Sequence, residues 1–482
     1  MSTAQSWPER MNATDALFWT MDRIPEMRST IGVLVTLERP PSRERMRAEF
    51  ERLSCNLPRM RQRVVDVPLG MAPPEWIEDE QFDLDYHLRY VAVPLPGDIE
   101  ALLRELSPLY ATTLDRDRPL WEAYVAEGLL DGRGAVFIKM HHCLTDGVGG
   151  SRLFAELMGT RMASVSATRF VSIRQSDIAS LLWRAAGYNV GQTLGGMLEL
   201  IRSLGAAALS PADTVRSLAR GIGTLAGFGR ELMMSRADSP LHHHRSLSRQ
   251  LSTFEMSLTE IDSIRRPLQA TNNDVVLTIV SGAMHRWHSS HGADVHELRA
   301  LVPVNLRNEA DPHAGNRLAL LAVSLPIGEP SPLRRLRVIQ ERMGQIKTDR
   351  RATMYPLLAR FMTALPLPVA KQLGRQQTMR TNFVCTNVPG PGRLCYLAGE
   401  LIERVYPYAP LVGDHPVAIA LYTYRDRVLV GLDVDPLAMD DLPLFRDALQ
   451  EAYEEILNVG RRAEGGRRGA RRAPPRQAKA AP

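Results

Sequence analysis

Cysteine is scarce: four residues, Cys55, Cys143, Cys385 and Cys395, in a chain of 482. They lie too far apart for a short-spaced thiolate metal site, and four in a chain of this length make no disulfide scaffold, so they read as reduced thiols. Long apolar runs are lacking too. The most apolar region, residues 178–209, is interrupted by Arg184, Glu199 and Arg202, and never reaches the ~18 uninterrupted apolar residues of a spanning helix. That excludes spanning a membrane but not lying on a lipid surface. The opening segment MSTAQSWPERMNATDALFW shows no basic stretch leading into an apolar run and a small-residue cleavage site, so a cytoplasmic location is expected. Charge of one sign is missing from the body as well. Of the net charge of +5, residues 461–482, with eight Lys or Arg against one acid, supply +7 and leave the remainder at −2. A near-neutral body argues against a nucleic-acid-binding domain, which needs its basic groups arranged on a folded face. The segment itself reads as a disordered basic tail.

What is present is ordinary globular material, 44% apolar and 23% charged, enough for a large core and two or three domains. The run IGVLVTLE at 31–38 predicts a strand, and Ser42 then caps a helix with Met46, Phe50 and Leu53 on one face. Leu102, Leu103, Leu106 and Leu109 predict a second helix, and AVFIKMHH at 135–142 a strand ending in a turn. Residues 176–236, rich in Leu, Ala, Gly and Arg, suit a helical connecting segment. Alternation then resumes with SRQLSTFEMS, a helix opened by the capping box Ser257 to Glu260, and a buried helix starting near Asn273 or Asp274. Strands ELRALVPVNL and LALLAVSLPI, a helix over 332–347, strands VAIALYTY and RVLVGLDV and a last helix through Leu444, Phe445, Leu449 and Ile456 complete the pattern. The expected organisation is therefore an N-terminal α/β half over 1–175, a connecting segment over 176–245, a C-terminal half over 246–460 and the tail.

The densest cluster of reactive groups is His141-His142-Cys143-Leu144-Thr145-Asp146-Gly147. Strand alternation would put His142 on the apolar face with Val136, Ile138 and Met140, and His141 on the other face with Phe137 and Lys139. An imidazole that loses hydration favours its neutral form, which a general base requires. A lone histidine so placed is more often a satisfied core side chain. Adjacent strand residues point to opposite faces, so a metal site does not fit. By the same geometry Cys143 reads as packing, not as a nucleophile paired with a neighbouring histidine. Gly147, Gly149 and Gly150 let the backbone turn tightly.

HHxxxDG, with RPLWE at Arg118 to Glu122, resembles the bacterial wax ester synthase and acyl-CoA:diacylglycerol acyltransferase family. The resemblance extends through MNATDALFW, LDRDRPLWE, TNNDVVL, VPVNLR, AGN and TNVPGPG, in that order. HHxxxDG alone is shared with condensation domains of peptide synthetases; the order of the others selects the branch. The resemblance implies an α/β fold of two chloramphenicol-acetyltransferase-like mixed-sheet domains with the active site at their interface. It implies that His142 is the base for direct attack of a hydroxyl on acyl-CoA, that His141 supports it, and that Asp146 pairs with Arg307 beside Gly147. Acyl-CoA would be a substrate and no cofactor would be needed; the acceptor would be a diacylglycerol or fatty alcohol at a membrane or lipid-droplet surface, with no nucleic acid. Asn273 and Asp274 are explained as well by helix capping as by catalysis. Pro119-Leu120-Trp121 and Pro389-Gly390-Pro391 read as packing and a rigid turn. Ala418 stands where the family often has asparagine. A donor bound to a carrier protein, and a lipid-binding relative without turnover, are the rival readings.

Overall fold

The structure is a computed structural model, and it describes residues 7–68, 71–145, 156–159, 183, 238–242, 245–305, 318–348 and 367–472. The first half runs α1 (Ala13–Met21), β1 (Thr30–Leu37), α2 (Arg43–Asn56), β2 (Gln62–Val65), β3 (Glu75–Glu78), α3 (Leu84–His87), β4 (Leu88–Ala92), α4 (Ile99–Ala111), β5 (Trp121–Glu127) and β6 (Gly134–His141). The second runs β7 (Gln250–Ser257), α5 (Leu258–Leu268), α6 (Asn272–Ser290), β8 (Leu298–Asn305), β9 (Leu318–Leu325), α7 (Pro332–Thr348), α8 (Leu367–Thr378) and β10 (Phe383–Pro389). It ends with β11 (Tyr396–Leu397), β12 (Glu400–Tyr408), β13 (Val417–Tyr424), β14 (Arg427–Val434) and α9 (Leu442–Arg472).

Two mixed sheets of six strands organise the chain, in the orders β11-β12-β1-β6-β5-β4 and β7-β14-β13-β10-β8-β9. In the first, β4 and β5 run parallel and the other main pairs antiparallel; in the second, β10 runs parallel to both β8 and β13. Two separate apolar cores follow. Met46, Phe50 and Leu53 of α2 and Leu102, Leu103 and Leu106 of α4 bury the first sheet. α6, buried at every residue from Asp274 to Met284, with Ile261 and Ile264 of α5 and Phe445, Leu449 and Ile456 of α9, buries the second. At the start of α5 the expected capping box is closed through a third residue. Ser257 Oγ accepts from the Glu260 N–H, while the Ser257 N–H donates to the Tyr453 hydroxyl (3.0 Å), which in turn donates to the Glu260 carboxylate.

The sequence division at 176–245 does not separate the sheets. β11 and β12, from the C-terminal half, lie in the first sheet beside β1. Neither strand is among those the periodicity predicts, and a sequence pattern does not say which sheet a strand joins. The crossover leaves no room between sheets at Gly431, where a Cβ would stand 1.8 Å from the Pro407 carbonyl oxygen. The last helix also corrects an expectation: it continues to Arg472, twelve residues into the segment read as disordered. A helix already nucleated by its buried stretch extends without a second nucleation cost, even across Gly465, Gly466 and Gly469.

Candidate active site

β6 ends at His141, one residue earlier than the periodicity predicts, and a 3-10 turn spans His142–Thr145. His142 therefore leaves the strand and does not continue the Val136, Ile138, Met140 face. Its N–H donates to the Ser29 carbonyl (2.8 Å), and its ring lies 4.6 Å from that of Phe18 on α1. The side chain is half-buried by area, so it keeps an opening towards solvent. Loss of hydration on burial pulls the imidazole down to about 4. It is neutral at physiological pH, in the form that can accept a proton.

His141 is almost fully buried and carries a different set of bonds. Its N–H donates to the Leu120 carbonyl (3.0 Å), which makes the Pro119-Leu120-Trp121 motif a support for the histidine backbone. Trp121 anchors that motif by donating Nε1–H to the Met60 carbonyl (2.8 Å) and stacking between Phe50 and His87. The same turn brings Cys143 back towards the strand end, so that its N–H donates to Nδ1 of His141 (3.2 Å) and its Sγ lies 2.9 Å from the same atom. That contact contradicts the strand-based argument, whose premise fails because the strand stops at His141. The outcome for chemistry is unchanged: burial pushes the Cys143 thiol well up, and Asp15 and Asp22 add to it, so the thiolate a nucleophile needs is disfavoured.

On its other edge His141 faces Asp22, with Nε2 3.3 Å from Oδ1. Arg116 approaches the second carboxylate oxygen at 3.5 Å while lying over the Trp19 ring. Asp22 and Ser29 lie outside every motif singled out in the sequence, and although MNATDALFW contains Phe18 and LDRDRPLWE contains Arg116, nothing in their spacing says that these residues will gather around a histidine far along the chain. Lys139, on the His141 face, is fully buried, and its ammonium donates to the Leu109 carbonyl, Thr112 Oγ1 and the Glu122 carboxylate (2.9, 3.0 and 3.2 Å). Its three donors are occupied, which makes it structural.

The histidine pair lies at the seam between the halves. Gly374 of α8 packs so tightly on α1 that a Cβ would come within 2.6 Å of the Met21 methyl. Arg245 donates to the carbonyls of Glu26 and Gly413 (3.1 and 3.2 Å), tying the segment between α1 and β1 to the loop before β13. Arg249, paired with Asp433, stacks on Tyr110 of α4, and Tyr110 donates to the Thr30 carbonyl (2.8 Å), beside His141 in the sheet.

Other expected residues fall elsewhere. Asp274 completes a capping box with Thr271 at the start of α6, accepting the Thr271 N–H (2.8 Å) while Thr271 Oγ1 accepts the Asp274 N–H (3.2 Å). Asn273 stands beside it in the first turn of that helix. The capping reading accounts for Asp274. Ala418 is buried in a small apolar cluster with Val384, Ala409, Leu411 and Ala420. Gly390 has the Thr423 carbonyl oxygen 2.2 Å from any added Cβ, which is why the turn needs glycine there. Asp146, Gly147 and Arg307, and with them the expected ion pair, lie outside the described residues. Among the described residues no group of His, Cys, Asp or Glu could hold a metal ion.

Comparison with known proteins agrees along the whole chain. A model of the wax ester synthase/diacylglycerol acyltransferase catalytic domain matches residues 11–276, and that of the family's C-terminal domain matches 314–457. The chain is 29% identical over 446 residues to a probable diacylglycerol O-acyltransferase of Mycobacterium tuberculosis, covering 91% of this chain and 93% of that one. It is 27% identical over 388 residues to an O-acyltransferase of Acinetobacter baylyi, covering 79% and 82%. The solved wax ester synthase/diacylglycerol acyltransferase of Marinobacter aquaeolei VT8 has a similar fold, at TM-score 0.62 and 22% identity over 94% of this chain and 99% of that one. So does the first condensation domain of the calcium-dependent antibiotic synthetase, at 0.59 and 15% over 94% and 96%. The expected chloramphenicol-acetyltransferase-like pair of mixed sheets is thus the fold observed. With both of its domain models matched in order, the chain belongs to the wax ester synthase/diacylglycerol acyltransferase family and is an acyltransferase of that type.

Proposed function

We propose that this protein transfers a long-chain acyl group from acyl-CoA directly to the hydroxyl of a diacylglycerol or fatty alcohol, forming triacylglycerol or wax ester. The observation that carries the reading is His142: a neutral imidazole, partly open to solvent, at the seam of the two sheets. Its ring takes the hydroxyl proton as the oxygen attacks the thioester carbonyl. The carbon–sulfur bond then breaks, and the leaving CoA sulfur receives that proton. No acyl-enzyme is involved, in keeping with the buried, protonated Cys143 thiol. Asp146 and Arg307 complete the reading as an ion pair holding the motif loop, and the chemistry calls on no resident cofactor. Incubating purified protein with labelled long-chain acyl-CoA and a panel of diacylglycerol, monoacylglycerol and fatty alcohols should give labelled neutral lipid; activity on none of them removes the assignment.

Both acceptor and product are insoluble in water, so the reading places the enzyme on a lipid surface. Among the described residues no helix is long and apolar enough to cross a membrane. Attachment would be peripheral, through the basic residues of 461–482 and of the 176–236 segment. Each Lys or Arg near an anionic membrane contributes ~1 kcal/mol, screened by salt. Deleting residues 461–482 should therefore weaken binding to anionic vesicles while leaving turnover of dispersed substrate. Equal vesicle binding of the full and shortened chains disposes of this part.

A further inference from the structure

We propose that Asp22 is a positioning residue for the reaction, acting through both histidines of the motif; the inference rests on His142 as the base. Asp22 follows the last turn of α1, where its N–H closes the helix on Phe18, the residue whose ring meets His142. From Oδ1 two branches leave. In one, Oδ1 accepts the Ser29 N–H (3.1 Å), and the Ser29 carbonyl accepts the His142 N–H (2.8 Å). In the other, Oδ1 faces Nε2 of His141 (3.3 Å), and Nδ1 of His141 accepts the Cys143 N–H (3.2 Å). One carboxylate oxygen thus governs, through a single intermediary each, the two consecutive peptide groups that open the catalytic turn.

The second branch also fixes a proton. Because Nδ1 of His141 accepts, the neutral ring carries its hydrogen on Nε2, the atom that points at Asp22. A proton on both nitrogens would break the bond to Cys143 and place a positive charge beside His142. Burial pushes the Asp22 carboxyl up, but the contact with His141, the Ser29 N–H and Arg116 outweigh it and hold the group below its ordinary value. Asp22 is therefore ionised wherever the enzyme would work. The charged groups that meet around it are Arg116 at its second oxygen, His141 and His142 at the strand end, and Asp15 on its own helix, which acts on Cys143.

The test measures kcat and both KM values for Asp22→Ala and Asp22→Asn beside the parent and His142→Ala. Misplacing a reacting group by about an ångström costs on the order of 10²-fold, so Asp22→Ala should lose roughly 10- to 100-fold in kcat, with neither KM moving comparably. Asp22→Asn should recover most of that loss, because its amide oxygen can occupy the Oδ1 place, accept the Ser29 N–H and face Nε2 of His141. A kcat for Asp22→Ala equal to the parent's, or an Asp22→Asn variant as poor as Asp22→Ala, overturns the proposal. An active His142→Ala overturns the base assignment instead, and is read separately. A second measurement needs no Asp22 variant to fold. In the 15N spectrum of histidine-labelled parent, the neutral form of His141, assigned by its loss in His141→Gln, should carry its hydrogen on Nε2. A neutral form protonated on Nδ1 also overturns the proposal.

Discussion

Replacing His142 by alanine is expected to lower kcat by about 10² to 10⁴, the usual contribution of a positioned general base, with little change in thermal stability. Alanine keeps the backbone N–H that bonds to the Ser29 carbonyl. What is lost is the ring against Phe18 and the proton acceptor. In the parent, kcat/KM should stay level as pH falls from neutral and decline only towards the imidazole value of about 4, because protonation removes the base. Cys143→Ala serves as the contrast. Alanine also keeps the N–H that donates to His141, so its effect on turnover should be small. Abolished activity in Cys143→Ala together with retained activity in His142→Ala would replace direct transfer by a thioester intermediate.

The largest effect on stability is expected at Trp121. Truncating a buried tryptophan to alanine typically costs about 3 to 5 kcal/mol, from lost transfer energy and the cavity left behind. Here the side chain is 2% exposed and stacks on both Phe50 and His87, so the upper part of that range applies. Trp121→Phe would keep most of the stacking but leave the Met60 carbonyl without its donor, at roughly 1 to 3 kcal/mol. The shift in the denaturant midpoint of each variant checks the ordering. Activity should fall with stability in Trp121→Ala, since the preceding residue supplies the carbonyl that holds the His141 N–H. A loss below about 1 kcal/mol for Trp121→Ala would mean that the site collapses around the smaller side chain.

Much of the fold could be read from the sequence because its elements are locally determined. Ser42 caps α2, Ser257 caps α5, and the apolar faces of α2, α4 and α9 point inward where their spacing placed them. Long-range pairing left no such trace. β12 is not among the strands expected from the pattern, and it is the pairing of Gly32 with Tyr408 and of Val35 with Val405 that places it in the first sheet. At the site, the histidine pair was legible because two histidines, an acid and a glycine crowd into one short stretch. Its supports were not, because they are common residue types contributed by distant elements: Asp22 by α1, Ser29 by the residue before β1, Leu120 by the residue before β5. The one local misreading, the course of residue 142, came from extending a period of two past the point where the strand stops.

The crossover of β12 bears on how the chain comes into being. β1 lies between β6 and β12, and its partner residues 402–408 follow it by more than 360 positions. On a ribosome adding about 5–20 residues per second, that interval lasts tens of seconds. During this time β1 can pair with β6 but keeps its other edge of backbone donors and acceptors uncovered. An open edge on an apolar strand is a template for pairing with another chain. Until β12 emerges, that edge is open to the wrong neighbour, and a fragment ending before β12 would carry the exposed edge permanently.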